Sequence, residues 1–339
     1  MVVSLRVVSL GLFFLALLNV SAFAENSRVS AEDMLALMQK NTRELSYQGS
    51  VIYSQGRHME SIKIHHSFEQ GVQFERLEYL SGAPKVIIRR GDKVFFINST
   101  VGIINLIKPV PLGSFTRDYH SQLGLTPTPY QLQLAGTSRV AGRPVLLLTV
   151  LAQDAHRFGF KLALDQQTGL LLRSLMVDHQ GDILERFEYT DIVVGEPIDA
   201  KHFALTVDNQ QLLKHQTASY PDKSLKKKHL IDPSSKTASR WTVNWLPADF
   251  HLLDPQSSQQ TMPSLKPTMQ DAMMYSDGLT AFSIFVADAI DMSDLNLIQK
   301  GATTAYSATK KDSLGIYTVT VVGEIPVQTA KKIAHSVSR

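Results

Sequence analysis

At 339 residues the chain is longer than one small core usually organises, and a norm of about 150 residues per domain predicts two domains. The formal charge of +3 is too small to imply nucleic acid as a partner. The absence of cysteine excludes disulfide staples, a thiol nucleophile and a lipid anchor on an N-terminal cysteine, so an ordinary apolar core must hold the fold.

Residues 1–24 read as a secretory signal. Arg6 precedes an apolar stretch from Val7 to Val20, and Ser21-Ala22-Phe23-Ala24 places small residues where a signal peptidase cuts. The stretch is shorter than the roughly 20 residues that span a bilayer. The mature chain is expected to begin at Glu25, with the charge falling from +3 to +2 as Arg6 leaves. An exported chain without cysteine fits the bacterial periplasm.

A helix comes next. Ser30 is placed to cap a first turn that carries Glu32 and Asp33, and Met34, Leu35, Leu37 and Met38 form an apolar face that ends near Glu44. From Leu45 the pattern becomes strands, with Gly91-Asp92, Thr168-Gly169 and Gly181-Asp182 at hairpin spacing, which predicts an antiparallel meander that, with the helix, makes up a first domain over residues 25–213. The runs Val86-Ile87-Ile88, Val94-Phe95-Phe96-Ile97, Val145-Leu146-Leu147-Leu148 and Leu170-Leu171-Leu172 put apolar side chains on both faces. Helices or loops of the same domain could cover the second face; "VGIINLIKPVPLGSF" and "TRDYHSQLGL" (101–125) offer short covering segments. The other account is a strongly curved sheet holding an apolar ligand in its concavity, lined by Val86, Ile88, Phe95, Ile97, Leu146 and Leu148.

Residues 214–239 are polar, carry Pro221 and Pro233, and read as a linker. Their Lys226-Lys227-Lys228 run is solvated chain unless an acidic partner or anionic lipid lies beside it. A smaller α+β domain is expected over 240–339. In "MYSDGLTAFSIFVADAIDM" (274–292) two strands flank a Ser-Asp-Gly turn, and the second strand is apolar on both faces. Thr280, Phe282, Ile284 and Val286 are expected to pack on a terminal helix, which Pro326 opens and Val327, Ala330, Ile333, Ala334 and Val337 line. Leu279, Ala281, Ser283 and Phe285 then need another cover, which nominates Tyr275 and Phe285 with Lys226, Lys227 and Lys228 as a protein-partner surface.

Catalytic patterns are weak. The eleven histidines lack metal-ligand spacing, and His65 and His66, adjacent on a strand, point to opposite faces. No G-x-S-x-G elbow occurs. S-x-x-K at Ser307 to Lys310 and at Ser224 to Lys227 falls in polar sequence that reads as turn or linker, without the companion K-T-G. Glu75 with Glu78, and Asp291 with Asp294, read as solvated carboxylates. No phosphate-cradling glycine loop is present, so binding rather than catalysis is expected, with no cofactor and no metal.

"WTVNWLPADF", "MMYSDGLTAFSIFV" and "VTVVGEIPVQTAKKIAHSV" resemble the RseB/MucB family of periplasmic regulators, as does the order helix, meander, then "DQQTGLLLRSLMVDHQGDILERFEYTDI". The resemblance implies a large domain similar to the lipoprotein carriers LolA and LppX, with a curved antiparallel sheet over helices. It implies a non-enzymatic negative regulator of the envelope-stress sigma factor, one that binds the periplasmic part of an RseA/MucA-type anti-sigma factor and shields it from the site-1 protease. Lipopolysaccharide-type lipids would release that partner, and a homo-oligomer is compatible with this picture. A periplasmic lipid or lipoprotein carrier is the alternative, although it leaves the second domain without a task; an exported hydrolase lacks a nucleophile and base.

Overall fold

The structure, a computed structural model, describes residues 30–98, 102–106, 129–205, 241–253, 271–288 and 297–339. The expected signal segment, the expected linker with Lys226, Lys227 and Lys228, and the Asp291 and Asp294 pair lie outside these residues.

The first helix, α1 (Ala31–Glu44), starts where the sequence predicts and for the predicted reason. Ser30 Oγ accepts the Asp33 amide at 3.0 Å while the Asp33 carboxylate accepts the Ser30 amide at 3.3 Å, a reciprocal cap. Met34, Leu35 and Met38 are buried, and each wholly buried side chain of this kind stabilises the fold by about 1.5–3 kcal/mol. Leu37, expected on the same face, stays 39% exposed and lies beside Gly169. Leu45 adopts extended backbone and ends the helix.

Eleven strands form one antiparallel sheet. They are β1 (Tyr47–Gln55), β2 (His58–Glu69), β3 (Val72–Tyr79), β4 (Lys85–Arg90), β5 (Lys93–Asn98), β6 (Gly102–Leu106), β7 (Tyr130–Val140), β8 (Arg143–Ala152), β9 (Gly159–Asp165), β10 (Leu171–Val177) and β11 (Ile183–Val194). The order is β6-β5-β4-β3-β2-β1-β11-β10-β9-β8-β7, two meanders joined where β1 pairs with β11. Part of the stretch expected to cover the sheet is itself the edge strand β6; residues 107–128 lie outside the described residues. β7 stands four strand spacings from β11, about 19 Å in a flat sheet. Cα atoms of the two strands nevertheless come within 8 Å, so the sheet is curled. A short 3-10 turn, Ala200–Phe203, then lies against β3 and β4.

The second unit is a separate six-stranded antiparallel sheet. It contains β13 (His251–Leu252), β14 (Asp271–Ser276), β15 (Ala281–Asp288), β16 (Ile298–Lys300), β17 (Thr303–Asp312) and β18 (Gly315–Gly323), ordered β13-β14-β15-β18-β17-β16. A two-stranded ribbon joins β12 (Thr242–Val243) to β19 (Val337–Ser338). Between β18 and β19 runs α2 (Val327–Ser336), with Pro326 at its N-cap. Phe282, Ile284, Val286, Val319, Val321, Ala330, Ile333, Ala334 and Val337 share its core, so the expected helix-on-sheet packing is present. At Gly323 a β-carbon would stand 2.3 Å from that of Phe282, so only glycine lets β18 pass β15 there.

Candidate partner surfaces and the domain junction

The strand register decides which of the predicted site residues can act together. Val86 pairs with Ile97 and Ile88 with Phe95, so these four share a face. Ile88 also pairs with Arg76, Arg76 with His65, and His65 with Gln48. From the other side Leu148 pairs with Leu162, Leu162 with Ser174, Ser174 with Phe187, and Phe187 with Tyr53. Gln48 and Tyr53 are five residues apart on one strand and therefore point to opposite faces. The six residues expected to line a single concavity are thus divided: Leu146 and Leu148 pack with Met34, Leu35 and Met38 of α1, while Val86, Ile88, Phe95 and Ile97 lie on the reverse side.

That reverse side is covered in part by the chain itself. The His202 ring stacks on His65 at 4.2 Å, Phe203 meets Phe74 at 5.7 Å, and Arg90 donates to the Phe203 carbonyl at 2.7 Å. Ile88 is 0% exposed, whereas Val86, Phe95 and Ile97 are half-buried. His66 points the other way, as expected of neighbours on a strand: it stacks on Tyr47 at 4.6 Å and contacts the Leu45 carbonyl. Burial lowers the pKa of both histidines, that of His65 to about 4 with His202 as a second cause.

In the small sheet Tyr275 pairs with Phe282, and Ala272 with Phe285. Tyr275 is therefore a core residue, 7% exposed, and this corrects its expected place on the partner surface. Phe285 is half-buried on the opposite face, beside Thr320. Ser307 shares a 2.8 Å hydrogen bond with Thr320 on that face, so Phe285 has hydroxyls on one flank and Ala272 on the other. Ser307 to Lys310 forms strand rather than turn, and three residues of strand send its Ser and Lys to opposite faces, which removes a serine-lysine dyad. Glu75 and Glu78 lie near Arg89 and Arg76, at 3.7 and 3.2 Å. Among the described residues no group of His, Asp and Glu has metal-binding geometry, and no helix is long and apolar enough to cross a membrane.

Sequence reasoning missed the junction between the two sheets. Arg157, 0% exposed, lies between β8 and β9 and reaches into the small unit, where its Nη1 donates to Asp277 at 2.7 Å and its Nη2 to the Ala248 carbonyl at 2.7 Å. Asp154 accepts its Nε at 3.1 Å and its Nη2 at 3.0 Å. Tyr130 donates to the same Asp277 oxygen at 2.9 Å. Burial pulls the Arg157 pKa down, and the Asp154 hydrogen bonds and the Asp277 charge more than offset it. Burial and then Asp277 push the Tyr130 pKa well up, so the phenol stays a donor. Nearby, His156 contacts Thr329 Oγ1 at 3.1 Å and sits edge-on to Trp245. Asp277 was visible in the sequence only as a turn residue, and Arg157 lies in a stretch without periodicity.

Comparisons with known proteins cover both units. The MucB/RseB N-terminal domain family matches residues 30–207 and the MucB/RseB C-terminal domain family matches residues 235–338. The sigma factor AlgU regulatory protein MucB of Pseudomonas aeruginosa is 32% identical over 98% of both chains. The complex structure of Pseudomonas aeruginosa MucA/MucB contains a chain that is 28% identical, with a TM-score of 0.69 over 91% of this chain and 98% of that one. A crystal structure of MucB matches at 28% identity, with a TM-score of 0.58 over 91% of this chain and 97% of that one. With both of its sheets matched in one order and at nearly full length, the chain belongs to the MucB/RseB family.

Proposed function

We propose that the chain is a non-enzymatic periplasmic negative regulator of an AlgU/sigma-E-type sigma factor. It binds the periplasmic part of a MucA/RseA-type anti-sigma factor and shields that part from the site-1 protease. The observation that carries this reading is the likeness to MucB in the MucA/MucB complex, which extends through both sheets. The contact is assigned to the Phe285 face of the small unit and to Lys226, Lys227 and Lys228 in the expected linker, because an aromatic anchor together with a basic run suits an amphipathic acidic segment.

An acyl lipid of the lipopolysaccharide type is the proposed release signal. Its support is the half-buried apolar row Val86, Phe95 and Ile97, on the face away from α1. The test is a protease-protection assay with residues 25–339 and the periplasmic segment of the anti-sigma factor from the same genome. Cleavage by the site-1 protease should be suppressed by the chain and restored by lipopolysaccharide. Undiminished cleavage at a saturating concentration of the chain would remove the regulatory reading in favour of a lipid or lipoprotein carrier.

A further inference from the structure

Besides the His156 contacts with Thr329 and Trp245, the two sheets meet through contacts of two kinds among the described residues. One is small and apolar: Ala302, 0% exposed, and the partly buried Leu279 join the core cluster that α1 forms with the large sheet. Beside it Gln55 Nε2 donates to Thr303 Oγ1 at 3.0 Å. The other is the ion cluster, and Asp277 is its pivot. The Oδ1 atom of Asp277 accepts the amides of Leu279 and Thr280, at 3.0 and 2.8 Å, within its own turn. Its Oδ2 accepts Arg157 and Tyr130, both from the large unit. One carboxylate therefore spends one oxygen on each domain.

We infer that Asp277 with Arg157 is a latch that fixes the orientation of the two domains and releases them as folded bodies when the pair is broken. A buried ion pair returns its two charges to water on separation, which recovers their desolvation penalty. A junction held by charge is thus specific in geometry and easier to open than an apolar one of equal size. Among the described residues the apolar part consists of Ala302 and Leu279, with His156 against Trp245 and Thr329 at its side, so the ion cluster supplies the most directional contacts of the junction. The small sheet keeps its core when the junction parts, and the large sheet keeps the packing of α1 on its strands while it loses Ala302 and Leu279.

The natural absence of cysteine makes the test direct. Gln180→Cys and Ser313→Cys place spin labels at exposed turns, one in each unit, and the interdomain distance distribution is read by electron paramagnetic resonance on residues 25–339. Asp277→Asn keeps the Oδ1 acceptor of the turn and replaces the oxygen facing Arg157. It should raise the population outside the unsubstituted distance peak at least about threefold, with both domains folded by circular dichroism. Arg157→Lys keeps the charge but cannot serve Asp154, Asp277 and the Ala248 carbonyl together, so it should broaden the distribution in the same direction and carries the test if Asp277→Asn does not fold. An unchanged distribution in a folded variant overturns the latch, whether or not the chain binds an anti-sigma factor.

Discussion

Tyr275 stacks on Phe282 with ring centroids 5.4 Å apart and planes 17° from parallel, while Phe285, three residues along the same strand, faces the other way. Tyr275 and Phe285 of this hairpin therefore have separable roles. Tyr275→Ala should cost about 3–5 kcal/mol by opening a cavity in the small core, whereas Phe285→Ala should leave the melt nearly unchanged and weaken anti-sigma binding by about 1–3 kcal/mol. Thermal melts with binding titrations on both variants check this. A large loss of melting temperature in Phe285→Ala would take that residue off the surface.

Ile88 and its neighbours separate core from lipid contact in the same way. Ile88 is 0% exposed, so Ile88→Asp buries a carboxylate without a partner and should unfold the large domain. Phe95→Ser, at a half-buried position on the same face, should be tolerated and should abolish stabilisation by acyl lipid. In the unsubstituted chain that stabilisation should reach about 2.7 kcal/mol at a hundredfold excess over Kd. A melt indifferent to lipopolysaccharide and to simple acyl lipids would leave the row without a ligand.

The sequence was most legible where local chemistry decides the structure. The Ser30 cap, the hairpin turns and the strand, glycine, Pro326 and helix series at the C-terminus all follow from residues close together in the chain. The face assignments were not legible, because they depend on pairing carried across many strands, and the sheet holds extra residues at Leu172 and Thr190 where register shifts. The His65 and His202 stack joins residues far apart in sequence, and neither flank of His202 announces it. The junction was invisible for the same reason: Arg157 and Asp277 are brought together only by the docking of two domains.

His65 gives a pH dependence with a definite sign. Its folded pKa, about 4, lies below the unfolded value of about 6.5, with burial the main cause and His202, Lys63 and Arg76 adding to it. The unfolded chain thus binds more protons between those values, so stability is fully present above about pH 6.5 and falls as pH drops toward 4. His66 shifts in the same direction. Denaturant melts from pH 7.5 to 4.5 should show unfolding coupled to proton uptake, and His65→Gln should reduce the slope by up to about one proton. An identical slope in the variant would mean that His65 is not desolvated by the 200–203 turn.

Gly301 tests the apolar side of the junction. Its φ of +56° lies in the left-handed region, and a β-carbon there would stand 2.6 Å from Gln55 Cγ and 2.7 Å from the Leu184 carbonyl oxygen. Gly71, at φ +82°, has no such neighbour within 4 Å. Alanine at either position pays backbone strain of about 1–2 kcal/mol, but only Gly301→Ala must also push the β16–β17 turn away from the β1–β2 turn and from Leu184. The difference between the two variants, read as the change in unfolding free energy, should be about 1–3 kcal/mol against Gly301→Ala, the usual cost of overpacking. Because that push separates the domains where Ala302 docks, Gly301→Ala should also broaden the interdomain distance distribution, and Gly71→Ala should not. Equal costs and equal distributions would show that the turn does not bear on the large domain in solution.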